Sequence, residues 1–265
     1  MMEVAAFALA GFVTGIFSGA LGVGGALLAT PLIRFLGVGA FLAIGTTVPV
    51  MLPTTLTGAY TYHREKLVDL RAAGWTAASG VVFVVVGALS TRHIDRGGGH
   101  TLMLITAAVL FVSGIRLLPS RSKEIQPAEP IRSAPAFLAI GAASGFLSGL
   151  LGVGGGIVMV PAFISMLKLP TKTALGTSLA VITLTVIPNV IAQSLAAPCL
   201  SISSCGNIDW TVALPLSIGV IPGALLGAKI SIRAPERTLR IVMVIAITSI
   251  ALVYAWREIA ELSSL

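Results

Sequence analysis

Two short stretches carry most of the chemistry open to this chain: SGALGVGGA at residues 18–26 and SGLLGVGGG at residues 148–156. Each should break a helix. A helix that restarts after a break presents backbone N–H groups without partners and a partial positive charge, which together favour a bound oxyanion. Gly22, Gly24 and Gly25 in the first stretch, and Gly152, Gly154, Gly155 and Gly156 in the second, stand at those restarts, where glycine lets the backbone turn sharply and approach a ligand. Ser18 and Ser148, four residues before each break, add hydroxyl donors from the preceding helix end. A second set follows: Thr46 and Thr47, then Thr177 and Ser178, each pair after a glycine near the start of a long helix, with Thr54, Thr57, Asn189 and Gln193 further along. Hydroxyl and amide donors can replace an anion's water shell without fixing a full charge in the membrane. Binding then stays weak enough for release.

The acidic residues narrow the choice further. All ten of them, and all three histidines, fall in loops, termini or helix ends. Carboxylates at membrane depth, which a sodium, metal or ammonium site needs, are missing, and so is an acid for an intramembrane proton relay. That argues against a cationic substrate. An integral-membrane enzyme would want a nucleophile with a base, or a metal cluster, at that depth. A receptor subunit would need a soluble docking domain, and the longest polar stretch is the segment at 119–134. The pattern GxxxxGK[ST] does not occur, so the chain does not itself hydrolyse nucleotide, and no cofactor or metal is expected.

The elements that position these residues must lie in a bilayer. Of 265 residues, 56% are apolar and only 10% charged, against about 25% charged in soluble domains. Mean hydropathy is +1.00. Uncharged runs cover residues 4–33, 35–62, 72–91, 133–167, 173–208 and 210–228, and about 18 such residues suffice for a spanning helix. The start, MMEVAAFALAGF, lacks the basic region and cleavage site of a removable signal peptide. A net charge of +7 comes without a basic stripe interleaved with aromatics, so nucleic acid is not an expected partner.

The chain is duplicated. The glycine stretches lie 130 residues apart, AIGTT at 43–47 matches ALGTS at 174–178, and Asp69 in VDL parallels Asp209 in IDW. The expected organisation is a first membrane repeat at 1–118, a cytoplasmic linker at 119–134 and a second membrane repeat at 135–265. The run 133–167 holds 35 residues, so one straight helix would be about 52 Å long at 1.5 Å per residue, against about 30 Å of hydrocarbon. A hairpin broken at the glycines fits better. The positive-inside rule chooses between the two pictures. If each opening run crosses once, eight Lys and Arg face nine; if each enters and returns, 13 fall on one side and 4 on the other. The fold class expected is therefore an all-α integral membrane protein of two inverted repeats, each a broken-helix hairpin followed by three transmembrane helices. Both termini and the 198–210 loop then lie outside the cell. Cys199 and Cys205 share that loop, where an oxidising compartment allows a disulfide; two unpaired thiols are the alternative.

SGxLGVGG in both halves, the GTS/GTT element after each hairpin and the VDL/IDW element before the next helix resemble the TauE/SafE family of sulfite and organosulfur anion exporters. The resemblance spans nearly the whole chain. It implies transport of a small anion such as sulfite, a sulfonate or thiosulfate across the cell membrane, which joins the bilayer and a coupling ion among the expected partners. The leading expectation is a secondary transporter working by alternating access; an anion channel of the same architecture is the nearest rival.

Several of these residues also have plainer roles. Gly11, Gly15 and Gly19, like Gly141, Gly145 and Gly149, recur at the four-residue spacing that lets membrane helices pack closely. Membrane-buried serines and threonines often bond their own backbone. Asp69 and Asp209 suit the N-caps of the helices that follow. The prolines inside the apolar runs should kink or interrupt helices. Arg34 and Lys168 fit orientation anchors better than attractors of anions.

Overall fold

In lipid a chain must satisfy its own backbone hydrogen bonds, and a helix does so within one segment. The computed structural model, described for residues 2–94, 100–117, 133–195, 204–205 and 208–263, is helical throughout apart from one two-residue ladder. The first half contains α1 (Met2–Leu21), α2 (Ala26–Phe35), α3 (Ala40–Arg64), α4 (Leu70–Ile94) and α5 (His100–Leu117). The second contains α6 (Ala134–Leu151), α7 (Gly156–Ser165), α8 (Thr171–Leu195), α9 (Trp210–Arg233) and α10 (Glu236–Ser263). Between α8 and α9, β1 (Ser204–Cys205) pairs antiparallel with β2 (Ile208–Asp209). Among the described residues seven helices are long and apolar enough to span a membrane, namely α1, α3, α4, α6, α8, α9 and α10. Residues 119–132 of the linker and Cys199 lie outside the described residues, as does the side chain of Cys205, and Ala134 already belongs to α6.

Each opening run breaks at its glycines, but the two arms are unequal. α1 and α6 have 20 and 18 residues, α2 and α7 only ten each, so each returning arm is about 15 Å long. The long arms are held by close backbone approach. Gly11, Gly15 and Gly19 of α1 meet Leu216, Val220 and Ala224 of α9 in the same order. Gly219, Gly223 and Gly227 of α9 reciprocate against Ala8, Phe12 and Ile16. α6 lies on α4 in the same way, with Gly141, Gly145 and Gly149 against Thr76, Gly80 and Val84. A Cβ on Gly15 would stand 2.5 Å from the Val220 carbonyl oxygen, and one on Gly145 equally close to that of Gly80. Small residues here are a steric requirement.

The same packing recurs with the halves exchanged. α1 with α9 corresponds to α6 with α4, α3 with α9 to α8 with α4, and α2 with α3 to α7 with α8. α3 with α8 and α5 with α10 pair across the centre. Ile33, near the end of α2, shares a core with Ala10, midway along α1, so the first hairpin folds back along its own long arm. Large apolar side chains are also exposed around the outside, among them Val82 and Val86 of α4, Leu214 and Ile218 of α9, and Ile241 and Ile245 of α10. Such a surface suits lipid and would aggregate in water. The prolines do not interrupt the helices: α3 runs through Pro49 and Pro53, α8 through Pro188, and α9 through Pro215 and Pro222.

Asp69 and Asp209 cap as the sequence suggests. The Asp69 carboxylate accepts from the backbone N–H of Arg71 and Ala72, each at 3.0 Å, and that of Asp209 from Thr211 N–H at 2.9 Å. The backbone N–H groups of the same two residues reach across the molecule. Asp69 donates to Thr177 Oγ1 and Asp209 donates to Thr46 Oγ1, both at 3.0 Å. Each half thus fastens the start of the other half's long helix.

Candidate functional site

The two glycine tips cross between α3 and α8. Both leave their long arm through a left-handed glycine, Gly22 at φ 70° and Gly152 at φ 64°, and two residues later take a second at Gly24 and Gly154, φ 89° and 83°. L-residues rarely adopt this conformation, which is why each tip needs glycine at these two positions. The tips then pass each other in close contact. A Cβ on Gly154 would stand 2.7 Å from the Val23 carbonyl oxygen, and one on Gly156 would stand 2.8 Å from Val23 Cα.

Both short arms start as uncapped, buried helix ends. The residues preceding α2 and α7, Gly25 and Gly155, offer no side-chain cap, and Ala26, Leu27, Gly156 and Ile157 are all buried. Buried helix starts without caps hold donors that call for a partner.

Two apolar side chains close the crossing. Met51 of α3 and Ile182 of α8, both fully buried, approach the tips from opposite sides: Met51 Sδ lies 3.2 Å from the Cβ position of Gly154, Ile182 Cδ1 3.3 Å from that of Gly24. They stand five residues after Thr46 and Thr177. Sequence reasoning that looked for polar donors passed over them, although their matching positions in the repeat were visible. Tyr62 and Thr30 were missed too. Tyr62 Oη donates to the Gly19 carbonyl at 3.3 Å, and Gln193 Nε2 makes the matching bond to Gly149 at 3.1 Å. Tyr62 and Gln193 occupy equivalent places sixteen residues after Thr46 and Thr177.

The expected donors divide into groups. Ser18, Gly25 and Thr54 come together: a Cβ on Gly25 would stand 3.6 Å from Ser18 Oγ and 3.4 Å from Thr54 Oγ1. Ser18 is 4% exposed, and its hydroxyl has no hydrogen-bond partner. It borders a small cleft that Phe17, Leu21, Val23, Gly25, Leu27 and Leu28 also line. Ser148, Gly154 and Gly155 line a second small cleft with Thr106 and Leu110 of α5. Ser178 meets the first tip, donating 2.8 Å to the carbonyl oxygens of Gly22 and Leu175. Thr47 lies 3.2 Å from Thr30 Oγ1 and bonds the Ile44 carbonyl at 3.0 Å. Thr46 and Thr177, both fully buried, accept the Asp209 and Asp69 N–H groups. Asn189 is buried, with Oδ1 unpartnered. Arg34, in the last turn of α2, is buried at 7% exposure instead of standing at an open mouth.

A multi-pass helical membrane protein, built from two like halves whose broken hairpins cross at its centre, is the class that this fold and site define. The chain belongs to the TauE/SafE family, whose description is "Sulfite exporter TauE/SafE" and which it matches over residues 7–254. It is similar to a probable membrane transporter protein of Methanocaldococcus jannaschii, 28% identical over an alignment of 249 positions that covers 89% of each chain. A probable membrane transporter protein of Xylella fastidiosa is 29% identical over 95% of both chains. The probable membrane transporter protein YjnA of Bacillus subtilis is 29% identical over 89% of this chain and 93% of its own. No solved structure matches.

Proposed function

We propose that the chain is a secondary transporter, an exporter, of a small sulfur-containing anion such as sulfite, a sulfonate or thiosulfate, working by alternating access between two inverted repeats in the cell membrane. The observation that carries this reading is the crossing of two uncapped, buried helix starts between α3 and α8. Uncapped N–H groups in a dry interior attract an oxyanion and repel a cation. The two hairpins offer the candidate donors, Ser18 with the glycines of the first tip and Ser148 with those of the second, beside the hydroxyl and amide residues of α3 and α8 already described.

Three further features support the reading. Helix pairings and interhelical hydrogen bonds recur with the halves exchanged, as repeats of opposite orientation would give, and the 13 to 4 distribution of Lys and Arg favours the same arrangement. In it the repeats 1–118 and 135–265 enter from opposite faces, and both termini lie outside the cell. Met51 and Ile182 fill the space between the tips, which suits a carrier that must rearrange and not an open pore. The names of the relatives, probable membrane transporter proteins, point to transport and away from catalysis.

Counterflow in reconstituted vesicles tests the proposal. Vesicles preloaded with sulfite or thiosulfate should take up the labelled anion in a saturable way that needs internal anion. Conductance without saturation or exchange would make the protein a channel. Absence of any anion flux, in protein shown to be inserted, would overturn the proposal.

A further inference from the structure

The duplication suggests two equal anion sites, one per hairpin, and the side chains around the tips are not equal. Ser18 differs from most hydroxyls buried in these helices. Thr14, Thr30, Thr47, Thr54, Thr55 and Thr106 all donate to a carbonyl three or four residues back, as membrane-buried hydroxyls commonly do. Ser18 donates to none, although it is buried and Oγ faces the Gly25 turn; the buried Ser148 hydroxyl has no bonded partner either, so the tips differ in what surrounds their last glycine. An orphaned hydroxyl beside an uncapped helix start leaves two kinds of donor converging on one small space.

The second hairpin fills that place differently. Gly155 corresponds to Gly25 but has ordinary right-handed geometry, φ −63°, where Gly25 has φ 89°. The Cβ position of Gly155 lies 2.9 Å from the Ser144 carbonyl oxygen and 2.9 Å from Met159 Cε. A carbonyl oxygen repels an anion, and the methionine methyl takes its room. The long helices diverge in the same sense. Thr54 faces Gly25, whereas Thr185, eight residues after Thr177 as Thr54 is after Thr46, turns its methyl to within 3.0 Å of the Gly80 Cβ position on α4.

We infer that the anion is held at one hairpin only: the start of α2 takes its oxygens, the Ser18 hydroxyl donates to it, and the second tip serves as the wall against which that site closes. The inference rests on the transport reading and narrows it from a pair of sites to one. The stretch SGLLGVGGG then keeps its glycines so that the tips can cross, since Gly152 packs on Ile44 and Gly156 on Gly22 and Val23.

The test uses the full chain in lipid nanodiscs with sulfite and thiosulfate as probes. Calorimetry should give one anion per chain. Ser18→Ala should lose about tenfold or more in affinity, and Ser148→Ala should stay within about twofold. Hydrogen exchange on the unmutated protein guards against a misfolded variant: saturating anion should slow exchange in the peptide covering residues 25–28 and leave that covering 155–158 unchanged. Two anions per chain, equal losses in both serine variants, or protection at both tips would overturn the single-site inference and leave anion binding intact. No heat and no protection with either probe would remove the anion reading itself, and this inference with it.

Discussion

Gly15 and Gly145 show how much of this protein is decided by the absence of one methyl group. Each lies against the backbone of a neighbouring helix at a distance no Cβ tolerates. Gly15→Ala should therefore lower stability by about 1–3 kcal/mol, seen as a reduced melting temperature in detergent. Ser90→Ala, on a part-exposed side chain whose hydroxyl donates to the Val86 carbonyl in its own helix, should leave melting unchanged. Gly154 carries a different demand. Its φ of 83° and its contact with the Val23 carbonyl exclude a larger side chain, so Gly154→Leu should abolish flux in protein that still inserts. At this scale the four-residue glycine spacing and the acidic caps were legible, because each depends on local geometry. The plug formed by Met51 and Ile182 was not: an apolar residue in an apolar run has no local mark, and its meaning comes only from what crosses it. Ser18 was picked out by its place before the break, but its orphaned hydroxyl became visible only once its neighbours were placed.

Among the elements, the reciprocal fastening of α3 and α8 is the feature that spacing alone could not foresee. Thr46 and Thr177 were read as donors to an anion; their oxygens accept the backbone N–H groups of Asp209 and Asp69 at 3.0 Å. Removing one acceptor leaves a part-buried N–H without a partner. Thr46→Val and Thr177→Val should each destabilise by about 1–3 kcal/mol, measured by thermal unfolding, and by similar amounts because the two bonds are matched. Charge-free length and glycine placement made the hairpins legible. Their unequal arms were not, since the length of α1 and α6 is set by how far their glycines run along α9 and α4. The strand pair at 204–209 is too short to leave any periodic signal.

For the whole molecule, the recurrence of packing pairs with the halves exchanged shows two like halves, and the 13 to 4 count of Lys and Arg is the separate argument for setting them in opposite orientation. Each line is independent of the other, since the Lys and Arg of loops and helix ends play no part in how α3 meets α8. The proposed alternating access depends on the two hairpins entering from opposite faces. Leu36 and Met166 occupy equivalent places after the short arms, 130 residues apart, and are 46% and 53% exposed, open enough to accept a label. The most direct measurement replaces each singly with cysteine, in a background with Cys199 and Cys205 changed to serine, and adds an impermeant maleimide to intact cells. Leu36→Cys should react from outside and Met166→Cys only after the membrane is opened. Labelling of both from the same side would contradict inverted hairpins, and with them the carrier built on them.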